Sequence, residues 1–189
     1  MNTPGHAVVN LALLGRKDRP ELVPAILAGA ILPDLAIVAF YLWQRFVEHL
    51  PERTIWQVAY FQSAWQPVID LLHSLPLAAL GYAAARLLAS AQGGAFFASL
   101  LLHSLADLPL HHEDAHRHLF PLSDWRFASP LSYWDPRHYG GVGAAAELLL
   151  VAIASAVLWR RHPGPGSRTA VAAVLGLYVV GYVALYLAR

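Results

Sequence analysis

Residues 20–44 read PELVPAILAGAILPDLAIVAFYLWQ. The run is apolar almost all round. About 20 apolar residues in helical form are enough to cross the hydrocarbon of a bilayer, so the stretch predicts a transmembrane helix. Pro33 and Asp34 interrupt it near the middle. A proline inside a helix has no N–H to give and frees a backbone carbonyl, and a lone carboxylate among apolar neighbours is costly unless something pairs with it. Asp34 is therefore a candidate functional residue.

The rest of the chain has the same character. Of 189 residues, 57% are hydrophobic and only 13% charged, and the mean hydropathy is +0.46. That is more apolar surface than a soluble core of this size hides. Further long helices are expected over residues 68–88, 95–110, 141–159 and 169–187. Gln92-Gly93-Gly94 and Pro163-Gly164-Pro165-Gly166 supply turns. Thr3 as N-cap, Pro4 behind it and Gly15 as the stop predict a short helix at the start. The Trp-rich stretch 45–66, punctuated by Pro51, reads as an interfacial segment around a short helix. Residues 111–139, rich in His, Asp, Trp and Pro, read as a folded loop. The expected fold is an all-α, polytopic membrane bundle of about five long helices plus short N-terminal and interfacial ones, forming a single domain over residues 1–189.

A net charge of +1 excludes the basic face that nucleic-acid binders need. The expected partners are the lipid bilayer and a small-molecule or lipid substrate. With no cysteine, any metal must sit on nitrogen and oxygen. The first residues have neither the basic start nor the apolar run of a secretory signal, so insertion is expected to rely on the mature helices. If Arg16, Lys17, Arg19 and Arg160, Arg161, Arg168 face the cytoplasm, alternating the long helices puts the His-rich loop outside.

His103 and Asp107 are the sharpest chemical signal. Four residues apart on one helix, they project from the same face, and imidazole plus carboxylate can bind one ion. Asp107 closes an otherwise apolar helix and needs a partner. Directly after it come His111, His112, Glu113, Asp114, His116 and His118, a density that favours a metal site, with nitrogen and oxygen donors suited to zinc, manganese or iron. A solvated polar loop is the plainer alternative. His73 has Asp70 one turn earlier, which allows a simple hydrogen-bonded pair or a ligand oriented by that acid. His6 in the first turn of the short helix and Glu147, a lone acid in a later span, complete the candidates. In the topology above His73, His103 and Glu147 lie about five to seven residues, roughly 8–10 Å, inside the outer ends. Asp107 is nearer the edge and Asp34 deeper, so one outward-opening cavity can gather them all.

At Gly5-His6, Leu32-Pro33-Asp34, His73-Ser74, His103 to Asp107, Pro121, Trp125-Arg126-Phe127 and Pro130 the sequence resembles a bacterial family of small membrane-bound metal-dependent hydrolases, the LexA-binding inner-membrane type. That family looks distantly similar to zinc-dependent phospholipases C and to single-strand nucleases, all-helical phosphodiesterases with a three-metal site. The resemblance implies a bacterial inner-membrane location. It also implies His6, Asp34, His73, His103, Asp107 and one of His111, His112 or His116 as ligands, with His112, His116 and Glu147 carried as candidates. Leu35 and Ala36 stand where the family commonly has a second acid, and the His-Arg-Gly lead-in before His73 is missing.

The expected function is metal-dependent hydrolysis of a phosphoester, with two or three ions and an amphiphilic substrate. Asp114 or Glu113 is the candidate general base, or else an orienter of a ligand. The rivals are a transporter or ion pathway built on intramembrane His and Asp, a haem held between His73 and His103, and a metal-binding membrane protein without catalysis.

Overall fold

Pro4 stands in the first turn of α1 (Thr3–Leu14), where its missing N–H leaves no hydrogen bond unmade. The computed structural model describes residues 1–62 and 64–187. Ser63, in the expected interfacial segment, and Ala188 and Arg189, at the end of the expected domain, lie outside the described residues. The N-cap of α1 is Asn2 rather than Thr3, and its side chain does not cap but reaches Glu147.

A single 3₁₀ turn (Pro20–Leu22) leads into α2 (Val23–Phe46), which carries Pro33 inside it. Three short helical pieces, Glu52–Thr54, Ile55–Ala59 and Tyr60–Gln62, make up α3. The helix expected over 68–88 is broken into α4 (Gln66–Leu72) and α5 (Leu75–Leu87), which meet at 49°. The cause is local. Ser74 Oγ accepts from the Leu77 N–H at 3.2 Å and so caps a new helix, while Pro76 has no N–H for the Leu72 carbonyl.

Helix α6 (Ala91–Asp107) starts earlier than expected. The turn falls at residues 88–90, not at Gln92-Gly93-Gly94. Ala89 takes the left-handed conformation (φ 52°), and the Ser90 N–H closes α5 on the Ala85 carbonyl at 2.8 Å. Ser90 Oγ then caps α6 through the Gly93 N–H, which pulls both glycines into the first turn of the helix. Pro109 ends α6. The chain closes with α7 (Gly140–Arg161) and α8 (Pro165–Tyr182), the latter continued by a π turn (Val183–Leu187).

The described residues form no strand; the fold is all-helical. Three helical stretches are long and apolar enough to cross a membrane: Pro20–Phe46, Gly140–Arg161 and Pro165–Leu187. The expectation of about five is not met, because α4 and α5 form at most one broken span and α6 is 17 residues long. Leu35, Leu42, Leu149, Ile153, Leu177 and Val180 are exposed on α2, α7 and α8, apolar faces that suit lipid.

Short α1 is the centre of the bundle and packs on α2, α6 and α7. Val8, Val9 and Ala12 meet Val151, Ala154, Leu158 and Val171 in one apolar core, and Phe40, Ile55, Tyr60 and Ile69 form another beneath α3. Polar contacts fix the register of α1, α2 and α6. Asn10 Nδ2 donates to Ser99 O and Oγ, both at 2.9 Å, and Ser99 Oγ donates to the Ile26 carbonyl at 2.6 Å. Gly29 lets α2 approach α6, since a Cβ there would stand 2.3 Å from the Phe96 carbonyl. This close packing sets Asp34 against His103.

The 111–139 segment is folded, as expected. Its backbone bonds run from Ser129 N–H to His111 O and from Tyr133 N–H to Leu110 O, and His118 O accepts from the Leu75 N–H. Buried Asp70 accepts from the Arg117 N–H at 3.0 Å and Nε at 2.6 Å, so it anchors this loop rather than pairing with His73. Arg161 donates to the Ala12 and Gly15 carbonyls, which brings the two basic loops to one end of the bundle. The His-rich loop caps the other.

Candidate metal centre

Four elements bring their polar residues to the buried carboxylate of Asp107. Its Oδ2 lies 3.0 Å from His103 Nε2, one turn earlier on α6, and 3.8 Å from His73 Nε2 at the α4–α5 break. Its Oδ1 lies 2.9 Å from His6 Nε2 on α1 and 3.5 Å from His111 Nε2 in the loop, and it also accepts from the Met1 ammonium at 2.6 Å. Asp34 Oδ1 on α2 is 3.7 Å from His103 Nε2. The rings stack in pairs, His6 on His103 at 3.7 Å and His73 on His116 at 3.8 Å.

Hydrogen bonds at the back of each ring decide which nitrogen faces the centre. His73 Nδ1 sits 2.7 Å from the Ile69 carbonyl, and His103 Nδ1 sits 2.8 Å from the Ala30 carbonyl. A carbonyl only accepts, so Nδ1 carries the proton and Nε2 presents a lone pair. Among the described residues the Nε2 atoms of His73, His103 and His116 and Oδ2 of Asp34 are buried without a hydrogen-bond partner. Buried atoms of this kind are costly unless something polar or charged meets them. The donors fall into two groups that could hold a metal ion, Asp34 with His73, His103 and Asp107, and Asp107 with His111 and His116. Within each group the donor atoms lie within 4.8 Å of one another. Imidazole and carboxylate donors, with no thiolate, suit a first-row transition metal.

The loop histidines differ electrostatically. Burial and the Met1 ammonium lower the His111 pKa, but the Asp107 and Asp114 carboxylates outweigh both and push it up to about 9. Burial, with His73 and His111 beside it, holds His116 well below the usual imidazole value, so its ring is neutral. Asp114 Oδ2 stands 2.9 Å from His111 Nδ1, on the side away from Asp107. That is the carboxylate that orients a ligating histidine. Of the two roles open to Asp114, this geometry matches the orienter.

Three expected residues lie elsewhere. His112 points away, stacks on His138 at 3.5 Å and contacts the Ser129 carbonyl through Nδ1, leaving its place to His111. Sequence held the signal: His103, Asp107 and His111 recur every four residues on one face. Glu147 joins neither group; its Oε1 is taken by Asn2 and Tyr178. Glu113 is exposed and paired with Arg137, and the group it forms with Asp135 and His138 is one that Arg137 already neutralises.

A cavity of about 860 Å³ opens onto the centre. Asp34, His111, His116 and Asp114 form its polar wall and Ile37, Val38, Trp56 and Phe61 its apolar wall, with Arg137 also in the lining. The chain matches no family model, no curated protein and no solved structure.

Proposed function

We propose that the chain is a membrane-bound metal-dependent hydrolase of a phosphoester in an amphiphilic or lipid substrate, using zinc, or manganese or iron in its place, in a bacterial inner membrane. The observation that carries this reading is the Asp107 carboxylate, whose two oxygens face separate histidine groups. Two-metal hydrolytic sites hold their ions about 3.5–4 Å apart, a spacing that one shared carboxylate can serve. His73, His103 and Asp34 would hold one ion, His111 and His116 the other, and His6 adds a nitrogen beside Asp107 Oδ1. Bound ions supply Lewis acidity toward a phosphoryl oxygen and make water acidic enough to attack at neutral pH.

The residues around the ions have their own tasks. Asp114 holds His111 in its ligating orientation. Arg137, in the cavity lining, offers a guanidinium to a phosphate. The apolar wall on α2 and α3 suits a hydrocarbon chain, which supports an amphiphilic substrate, and the resemblance to membrane-bound hydrolases points the same way.

The test compares wild type with Asp107→Asn on amphiphilic phosphoesters in the presence of zinc or manganese, with circular dichroism as the check on folding. Loss of one transition-state contact costs about 3–4 kcal/mol, several hundred-fold in rate, and loss of an ion costs more. Equal rates in a folded variant, or no cleavage of any ester by the metal-loaded wild type, would overturn the reading.

A further inference from the structure

Glu147 is a carboxylate the metal centre does not use. It stands on α7 inside a candidate membrane span and is only 2% exposed. Its Oε1 accepts three hydrogen bonds, from the Asn2 N–H at 2.7 Å, Asn2 Nδ2 at 3.2 Å and the Tyr178 hydroxyl at 2.6 Å. Its Oε2 is buried and has no partner among the described residues. An acceptor left bare at this depth is costly, so a donor has to come from outside the protein.

Glu147 lines a second cavity, of about 310 Å³, between α7 and α8. Ala144, Leu177, Gly181, Tyr182 and Leu185 share the lining, which is mostly apolar. Water alone fits poorly, since the volume is roughly ten times the 30 Å³ share of one water molecule and offers few polar partners. The α8 span is only 11% buried, so the groove lies on the face turned to lipid.

We propose that this groove is a lipid-binding site distinct from the metal centre, taking an amphiphile whose hydroxyl or ammonium head donates to Glu147 Oε2 while its chain lies between α7 and α8. Both head groups offer the same chemistry, an N–H or O–H at the end of a hydrocarbon chain. The site does not depend on hydrolysis.

The experiment uses full-length protein in non-ionic detergent, with binding read by native mass spectrometry. The probes are monoolein, which has hydroxyls, oleylamine, which has an ammonium, and methyl oleate, which has no donor. Wild type should retain one monoolein or one oleylamine per chain and release methyl oleate, and the probe retained identifies the head group. Glu147→Leu removes the acceptor. Gly181→Trp fills the groove from a position where an added Cβ meets nothing within 4 Å, so Glu147 and its Asn2 contacts stay intact. Both variants should lose retention at least tenfold, and Gly181→Trp should keep the metal content of wild type. If Glu147→Leu fails to fold, Gly181→Trp decides alone. Retention of methyl oleate equal to the donors, no probe retained, or wild-type retention in Gly181→Trp would each overturn the proposal.

Discussion

His103 Nδ1 donates to the Ala30 carbonyl at 2.8 Å, a bond between α6 and α2 that aims His103 Nε2 at Asp107 and Asp34. One hydrogen bond thus fixes a tautomer, a ring direction and the distance between two helices. The same arrangement recurs at His73 and Ile69. Both rings present bare nitrogens to a buried centre, which is the arrangement a metal needs.

Purified wild-type protein is therefore expected to carry a transition metal, and His103→Ala to lose most of it. Elemental analysis of detergent-purified protein reads this directly. Metal below about 0.1 per chain in wild type, unimproved by added zinc, would count against the centre.

Neighbouring loop histidines should behave oppositely. His111 faces Asp107 while His112 stacks on His138, so His111→Ala should lower metal content and His112→Ala should leave it unchanged. Asp114→Ala removes only the group behind His111, and a loss of about 10–100-fold in metal affinity is expected, measured by competition with a chelator. Identical affinities across the three variants would remove the loop from the site.

The native chain has no cysteine, so membrane topology can be read from single introduced thiols. Leu122, 78% exposed, lies in the His-rich loop, and exposed Ser167 lies beside Arg168 near the start of α8. One span, α7, separates them, and Leu122→Cys and Ser167→Cys should be labelled from opposite sides of a sealed vesicle. Labelling of both from one side would rule out α7 as a crossing.

Much of this protein was legible in its sequence because the signals are local. Apolar runs of sufficient length predict helices for a bilayer whatever they pack against, and four-residue spacing alone places His103 and Asp107 on one helix face. Local signals were also present where expectation and structure part. Ser74 and Pro76 mark a helix start that splits the 68–88 run, and Ser90 caps α6 ahead of the two glycines.

Partner choice was a different matter. Asp34 was legible as an oddity of its span, but its place opposite His103 depends on Gly29 allowing α2 to close on α6. Asp70 stood one turn from His73 in sequence, yet the fold gives it to Arg117. Glu147, as buried as any ligand, faces Asn2 and Tyr178 instead of the centre. Sequence by itself determined the helices, their suitability for a membrane and the shortlist of metal-binding residues, because backbone geometry and hydrophobicity act over a few residues. Only the tertiary structure decided which of those residues meet, because atoms more than 100 positions apart, such as His6 Nε2 and Asp107 Oδ1, are brought to 2.9 Å by the packing of whole helices.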